Sequence, residues 1–160
     1  MTTLDPRLAL LLRSLDQAFD HSAWHGPNLS GALRGVQPEV ALWRPQPERH
    51  NVWEEMVHAA YWKYRVLHYV AAEPPDAFAE PGSDWFERTE GTAKQWADDK
   101  KRLKGWHARL RAAMADFDPE QLDAVAYEQR TYKDLMLGAS AHDVYHAGQI
   151  RLLRRMHEAA

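Results

Sequence analysis

The chain has 160 residues, of which 45% are apolar and 27% charged, and a formal net charge of −3. These values describe one globular domain over residues 1–160 and exclude disordered, collagen-like and low-complexity chains. The slightly acidic balance lacks the basic footprint of a nucleic-acid binder, and the absence of cysteine excludes disulfides, thiolate zinc sites and a cysteine nucleophile.

No apolar run approaches the roughly 20 residues that a membrane helix needs, so no membrane partner is expected. The start, MTTLDPRL, puts an acidic residue before the first basic one and Arg13 interrupts the leucines. That order does not fit a secretory signal, and the expected compartment is the cytoplasm. Any transition-metal site must be built from the nine histidines, carboxylates and water.

The pattern is helical almost throughout. Asp5-Pro6 reads as an N-cap with proline at the first helical position. Leu8, Leu11, Leu12, Leu15, Phe19 and Ala23 follow at helical spacing, with a break near His25-Gly26-Pro27. Residues 26–50 hold Pro27, Pro38, Pro45 and Pro47 and read as a long loop with one short helical turn near Pro38 to Leu42. Asn51 and Glu54 form a capping-box pattern at the head of a second long helix that runs to about Ala72. Its buried side is Trp53, Val57, Ala60, Tyr61, Tyr64 and Leu67. Glu73-Pro74-Pro75 opens a second loop, to about residue 88.

A third helix begins between Thr89 and Thr92 and reaches Phe117, with Trp96, Leu103, Trp106, Leu110 and Ala113 as its stripe. The run Asp98-Asp99-Lys100-Lys101-Arg102 reads as its solvated face. Thr131 caps a fourth helix that continues to about His157. No segment reads as a strand. Four helices of roughly 20 to 28 residues, each with one apolar stripe, need one another to bury those stripes. The expected fold is an all-α four-helix bundle with at least one long crossover connection.

The sharpest local feature is His142-Asp-Val-Tyr-His146. Residues four apart share a helix face, so two imidazoles can meet one divalent metal there. The spacing alone also fits hydrogen-bonded core histidines or surface ones. Asp143 stands where a zinc protease carries glutamate, so a zincin reading is poor. His58, midway along the second helix, is the best third ligand. A three-histidine set leaves coordination positions open, as catalytic rather than structural sites do. Such a metal could make hydroxide near neutral pH or hold a thiolate. The remaining histidines read as structural or solvent-exposed.

The segment HDVYHAGQIRLL resembles the C-terminal signature of the DinB/YfiT-like superfamily, a histidine pair followed by Gly-Gln. NVWEEMVHAAYWKYRVL is similar to that family's second helix, and Pro38 through Trp43-Arg44-Pro45 to the loop before it. The resemblance implies a bundle with crossed topology and a divalent metal, zinc or nickel, on His58, His142 and His146. It also implies a homodimer and a link to stress response. Some members are transferases or isomerases that use bacillithiol, mycothiol or glutathione, and others are hydrolases. DNA binding is not implied by the family name, in agreement with the acidic chain.

The expected function is a metal-dependent enzyme on a small molecule, either a thiol-dependent S-transferase or a hydrolase. The alternative is a non-catalytic metal-binding bundle or dimerisation scaffold, which a surplus of exposed tryptophan would favour. Glu54 and Gln149 are candidate contributors to chemistry, although capping already accounts for Glu54. Arg44 and Arg65, with Arg49, are candidates to bind an acidic thiol cofactor. Tyr61, Trp62, Tyr132 and Tyr145 are candidates to line a pocket, or core aromatics.

Overall fold

The computed structural model describes residues 4–160. Six α-helices are formed: α1 (Pro6–Phe19), α2 (Leu29–Leu33), α3 (Pro38–Leu42), α4 (Val52–Val70), α5 (Ala93–Ala115) and α6 (Tyr132–Glu158). The long helices begin where side chains satisfy their first free N–H groups. Asp5 caps α1, while Asn51, Thr92 and Thr131 each form a complete reciprocal capping box on α4, α5 and α6.

The four long helices form a ring in which sequence neighbours are not always spatial neighbours. α4 packs on α5 and α6, while α1 packs on α6 and α5. Going round the bundle the order is therefore α1, α5, α4, α6. The connection from α1 to α4 crosses the bundle diagonally, and so does the one from α5 to α6. The first crossover carries α2 and α3, and α2 closes against α6. Leu15, Leu29, Met56, Leu110, Met114, Met136 and Ile150 are fully buried and tie all these layers into one core. The all-α bundle with long crossovers is the architecture expected from helical periodicity.

Four details differ from that expectation. α1 stops at Phe19 rather than near His25. Asp20, His21 and Ser22 are poor helix formers, and beyond them Trp24 is almost wholly exposed, so no further burial rewards another turn. α2 lies inside what reads as loop, started by Asn28, whose side chain accepts from the Gly31 N–H. A small antiparallel pair, β1 (Val125–Tyr127) with β2 (Arg130–Thr131), precedes α6 where no strand is legible. Finally, the charge run in α5 is not one solvated face. Asp98 is exposed, but Asp99 is buried and accepts from Trp53 Nε1 at 2.8 Å.

Candidate metal centre

α4 and α6 are direct neighbours, and their facing sides carry the three histidines. His58 and His146 are buried and His142 is half-buried. His142 Nε2 stands 3.2 Å from His58 Nε2 and 3.0 Å from His146 Nε2. One ring nitrogen from each residue lies within 4.8 Å of the other two.

The ring orientations follow from what holds each imidazole from behind. His58 Nδ1 is 2.8 Å from the Asp84 carbonyl oxygen. A carbonyl only accepts, so Nδ1 carries the proton and Nε2 is a bare lone pair. His146 Nδ1 meets Glu55 Oε2 at 2.5 Å, which directs its Nε2 inward in the same way. His142 can carry at most one N–H toward either neighbour while neutral. Three imidazole nitrogens therefore converge on one point with too few protons to pair them all. Nitrogens on a tetrahedral zinc stand about 3.3 Å apart, close to the spacing seen here. The donor set and its spacing fit a divalent cation.

Electrostatics point the same way. Burial is the largest influence on His58 and lowers its pKa below 6.5, partly opposed by the Asp84 carbonyl. Burial, reinforced by the two other histidines, lowers His142 to about 3. Both rings are accordingly neutral at physiological pH, the state a metal ligand requires.

The loop between α4 and α5 roofs this centre. Asp84 adopts a left-handed backbone (φ 68°), which aspartate tolerates better than most residues. That turn aims its carbonyl at His58 while its carboxylate accepts from Trp62 Nε1 at 2.8 Å. Trp85 is sandwiched between imidazoles, 3.9 Å from the His58 ring and 3.6 Å from the His50 ring. The loop is anchored by Glu54, which accepts from the Arg44 guanidinium at 2.6 and 2.9 Å and from the Arg88 N–H at 2.8 Å. Burial pushes Glu54 up, but Arg44 and the backbone donors outweigh it and hold the carboxyl below its ordinary pKa.

Two clefts flank the centre. One, of about 420 Å³, lies beside His142 and is bounded by α4, the β1–β2 turn and α6. The other, of about 520 Å³, lies beside Glu55 and Trp85 and includes Arg49, Tyr145 and Gln149. Gln149 and Trp62 thus face open space next to the histidines. Glu54 does not, because Arg44, His50 and two backbone N–H groups already occupy its oxygens. Arg44 is spent on Glu54, and Arg65 reaches Tyr69 Oη at 3.2 Å, so neither lines a cleft. Tyr61 is packed in the core against Phe78, and Tyr132 against Phe117.

Sequence reasoning missed Glu55, Asp84 and Lys63. Glu55 sits three positions before His58 on α4, a spacing that could have been read as a neighbour of the metal face. Asp84 offers no sequence signal, since its role is a backbone carbonyl in a loop. Lys63 is 2% exposed and pairs with the fully buried Asp143 at 2.5 Å. Burial raises the Asp143 pKa, opposed by Lys63.

The arrangement defines a helical bundle with an open three-histidine centre between two helices. A family model, the DinB superfamily, matches residues 22–150, and the chain belongs to that superfamily. Searches of curated proteins and of solved structures find no match. No helix of the described residues is long and apolar enough to cross a membrane.

Proposed function

We propose that the chain is a divalent-metal-dependent enzyme that activates a nucleophile against a small molecule, with His58, His142 and His146 as the metal ligands. The carrying observation is the convergence of three ring nitrogens, two of them with protons fixed on the far side by Asp84 and Glu55. A divalent cation there, zinc or nickel, supplies the Lewis acidity that turns a thiol or a water molecule into a nucleophile near neutral pH. The chain's own groups do the rest. Glu55 and Asp84 orient the imidazoles, Trp85 covers His58 from solvent, and the two clefts hold the reactants on either side.

Two clefts support S-transfer, in which a low-molecular-weight thiol occupies one and the electrophile the other. Arg49 and Gln149 suit the carboxylate of an acidic thiol such as glutathione or bacillithiol. Hydrolysis is the second reading, favoured by a specific fact: Arg44 is paired with Glu54 and Arg65 lines neither cleft, so of the three candidate arginines Arg49 alone is left for an acidic cofactor. Against a non-catalytic scaffold stands the placement of the tryptophans. Trp53, Trp96 and Trp106 are buried, and only Trp24 and Trp62 of the seven are exposed.

Zinc- and nickel-loaded protein assayed with each thiol against 1-chloro-2,4-dinitrobenzene, and without thiol against p-nitrophenyl acetate, separates the readings. Thiol-dependent turnover that disappears in Arg49→Ala supports S-transfer, whereas ester cleavage without thiol supports hydrolysis. Neither activity in metal-loaded protein removes both. The homodimer belongs to the same proposal. Light scattering at twice the chain mass supports it, and a single chain mass removes it.

A further inference from the structure

Helix α6 buries one side in the bundle through Met136, Ala139, His146, Ile150 and Leu153. Its other side is apolar as well. Leu137, Val144, Tyr145, Leu152 and Met156 are between 36% and 59% exposed, and they are five of the eleven large apolar side chains exposed among the described residues. At 3.6 residues per turn they fall within about 120° of one another and form one stripe. Ala141 and Gly148 are exposed on the same stripe. Single apolar groups are ordinary on a surface, but a stripe along a whole helix marks a contact face.

Gly148 is a separate observation. It stands in the middle of a right-handed helix, where glycine is weaker than alanine. An added Cβ there meets no atom within 4 Å, so nothing in the chain itself asks for glycine. Close approach by a neighbour from outside does.

The stripe is complementary to itself when run antiparallel. A two-fold axis between Val144 and Tyr145 sets Leu137 against the partner's Leu152, Ala141 against the partner's Gly148, and Val144 against the partner's Tyr145. The same register sets Asp134 against the partner's Arg155, with the partner's Arg151 one turn away. Asp134 spends Oδ2 on the Thr131 cap, which leaves Oδ1. The arginine ion pairs of the described residues use Arg7, Arg44, Arg88, Arg102, Arg111 and Arg130, and so leave Arg151 and Arg155 free. Lys133, the cation at the acidic end, is already paired with Asp123. Glu158 comes to the start of the opposing helix, where the dipole favours an acid.

We propose that this outer face of α6 is the homodimer interface, packed antiparallel on the same face of a second copy. The assignment rests on the homodimer reading and adds to it a face and a register. The 27 residues of α6 span about 40 Å. A stable interface takes about 800 Å² from each partner, hence a width of about 20 Å, which is the helix plus the cleft rims beside it. Tyr145, Leu152 and Met156 line the 520 Å³ cleft, and Asp134 and Gly138 the 420 Å³ one. The second copy therefore stands at the rim of both clefts.

Sedimentation velocity on the full chain, with circular dichroism on the same samples, is the test. The wild type runs as a dimer. Gly148→Leu touches nothing in its own chain, so it keeps the helical spectrum but blocks the approach and runs as a single chain. Arg155→Glu sets two acids together and raises the dimer dissociation constant about tenfold. The chain has no cysteine, so Val144→Cys, beside the axis, joins two chains through one disulfide on oxidation with diamide. Lys101→Cys, exposed on α5, does not. The cross-link leaves Gly148 in place, so it decides the matter even if Gly148→Leu does not fold. A dimer that persists in folded Gly148→Leu, or Val144→Cys cross-linking no better than Lys101→Cys, overturns this face and leaves the homodimer reading standing. A wild type at a single chain mass overturns both.

Discussion

Glu55 and Asp84 decide where the lone pairs of His146 and His58 point, and they do so by different chemistry. Asp84 uses a backbone carbonyl, which no side-chain substitution removes. Glu55 uses a carboxylate at 2.5 Å from His146 Nδ1, which fixes the orientation of the ring it holds. Glu55→Gln keeps the shape and loses the charge. Its expected effect is zinc affinity about 10- to 100-fold weaker in a chelator competition, with an unchanged circular dichroism spectrum. Unchanged affinity would show that Glu55 is packing rather than support for the centre. His107 carries a different prediction. It is stacked 3.7 Å from the Phe19 ring, and burial, reinforced by Lys63, holds its pKa at about 3 against the ordinary 6.5. The unfolded chain takes up a proton below pH 6.5 that the folded chain refuses. Stability is thus complete above pH 6.5 and falls as the pH drops toward 3. Between pH 6.5 and 5, urea titration of metal-free protein should show the wild type losing about 2 kcal/mol more than His107→Phe. Parallel losses in the two proteins would place the acid sensitivity elsewhere.

Helix starts were the most legible feature of the chain because their signals are local. Asn51 with Glu54, and the threonines at 92 and 131, each set the chain direction through contacts three residues away. Thr92→Ala removes one such exposed cap and should cost about 1 kcal/mol in thermal or chemical unfolding. Asn51→Ala should cost more, since its amide also donates to the Arg88 carbonyl at 2.7 Å in a buried setting. Gly91 tests the packing of the roof loop against α4. A Cβ there would stand 2.6 Å from Trp53 Cη2, and Trp53 is fixed by its hydrogen bond to Asp99. Gly91→Ala should therefore destabilise by about 1–3 kcal/mol; a neutral result would mean that the loop yields. What was not legible depends on partners distant in sequence. α2 is one turn of Leu-Ser-Gly-Ala-Leu whose stability comes from α6, and β1–β2 is too short for alternation to register. Asp99 and Lys63 look like surface charges until the helices that bury them are in place.

On the scale of the whole molecule, two diagonal crossovers bring α4 and α6 side by side although α5 separates them in sequence. That adjacency joins the histidine pair, readable from its spacing, to His58, singled out as the best third ligand and by the resemblance of its helix to the family's second helix. Clefts open on both sides of the junction, and the α4–α5 loop closes over its third side through Trp85. The roof, the supporting carboxylate and the buried Lys63–Asp143 pair are all products of tertiary placement, which explains why the ligand spacing was visible and the surrounding site was not. The proposed function stands or falls with one divalent cation held between these helices. Elemental analysis of tag-free protein, dialysed against zinc or nickel, tests it most directly, alongside His58→Ala and His142→Ala. The wild type is expected to hold about one metal ion per chain, as three ligands around a single open site require, and both variants to lose it. A folded wild-type protein that takes up neither metal would contradict it and leave the three histidines as neutral core groups.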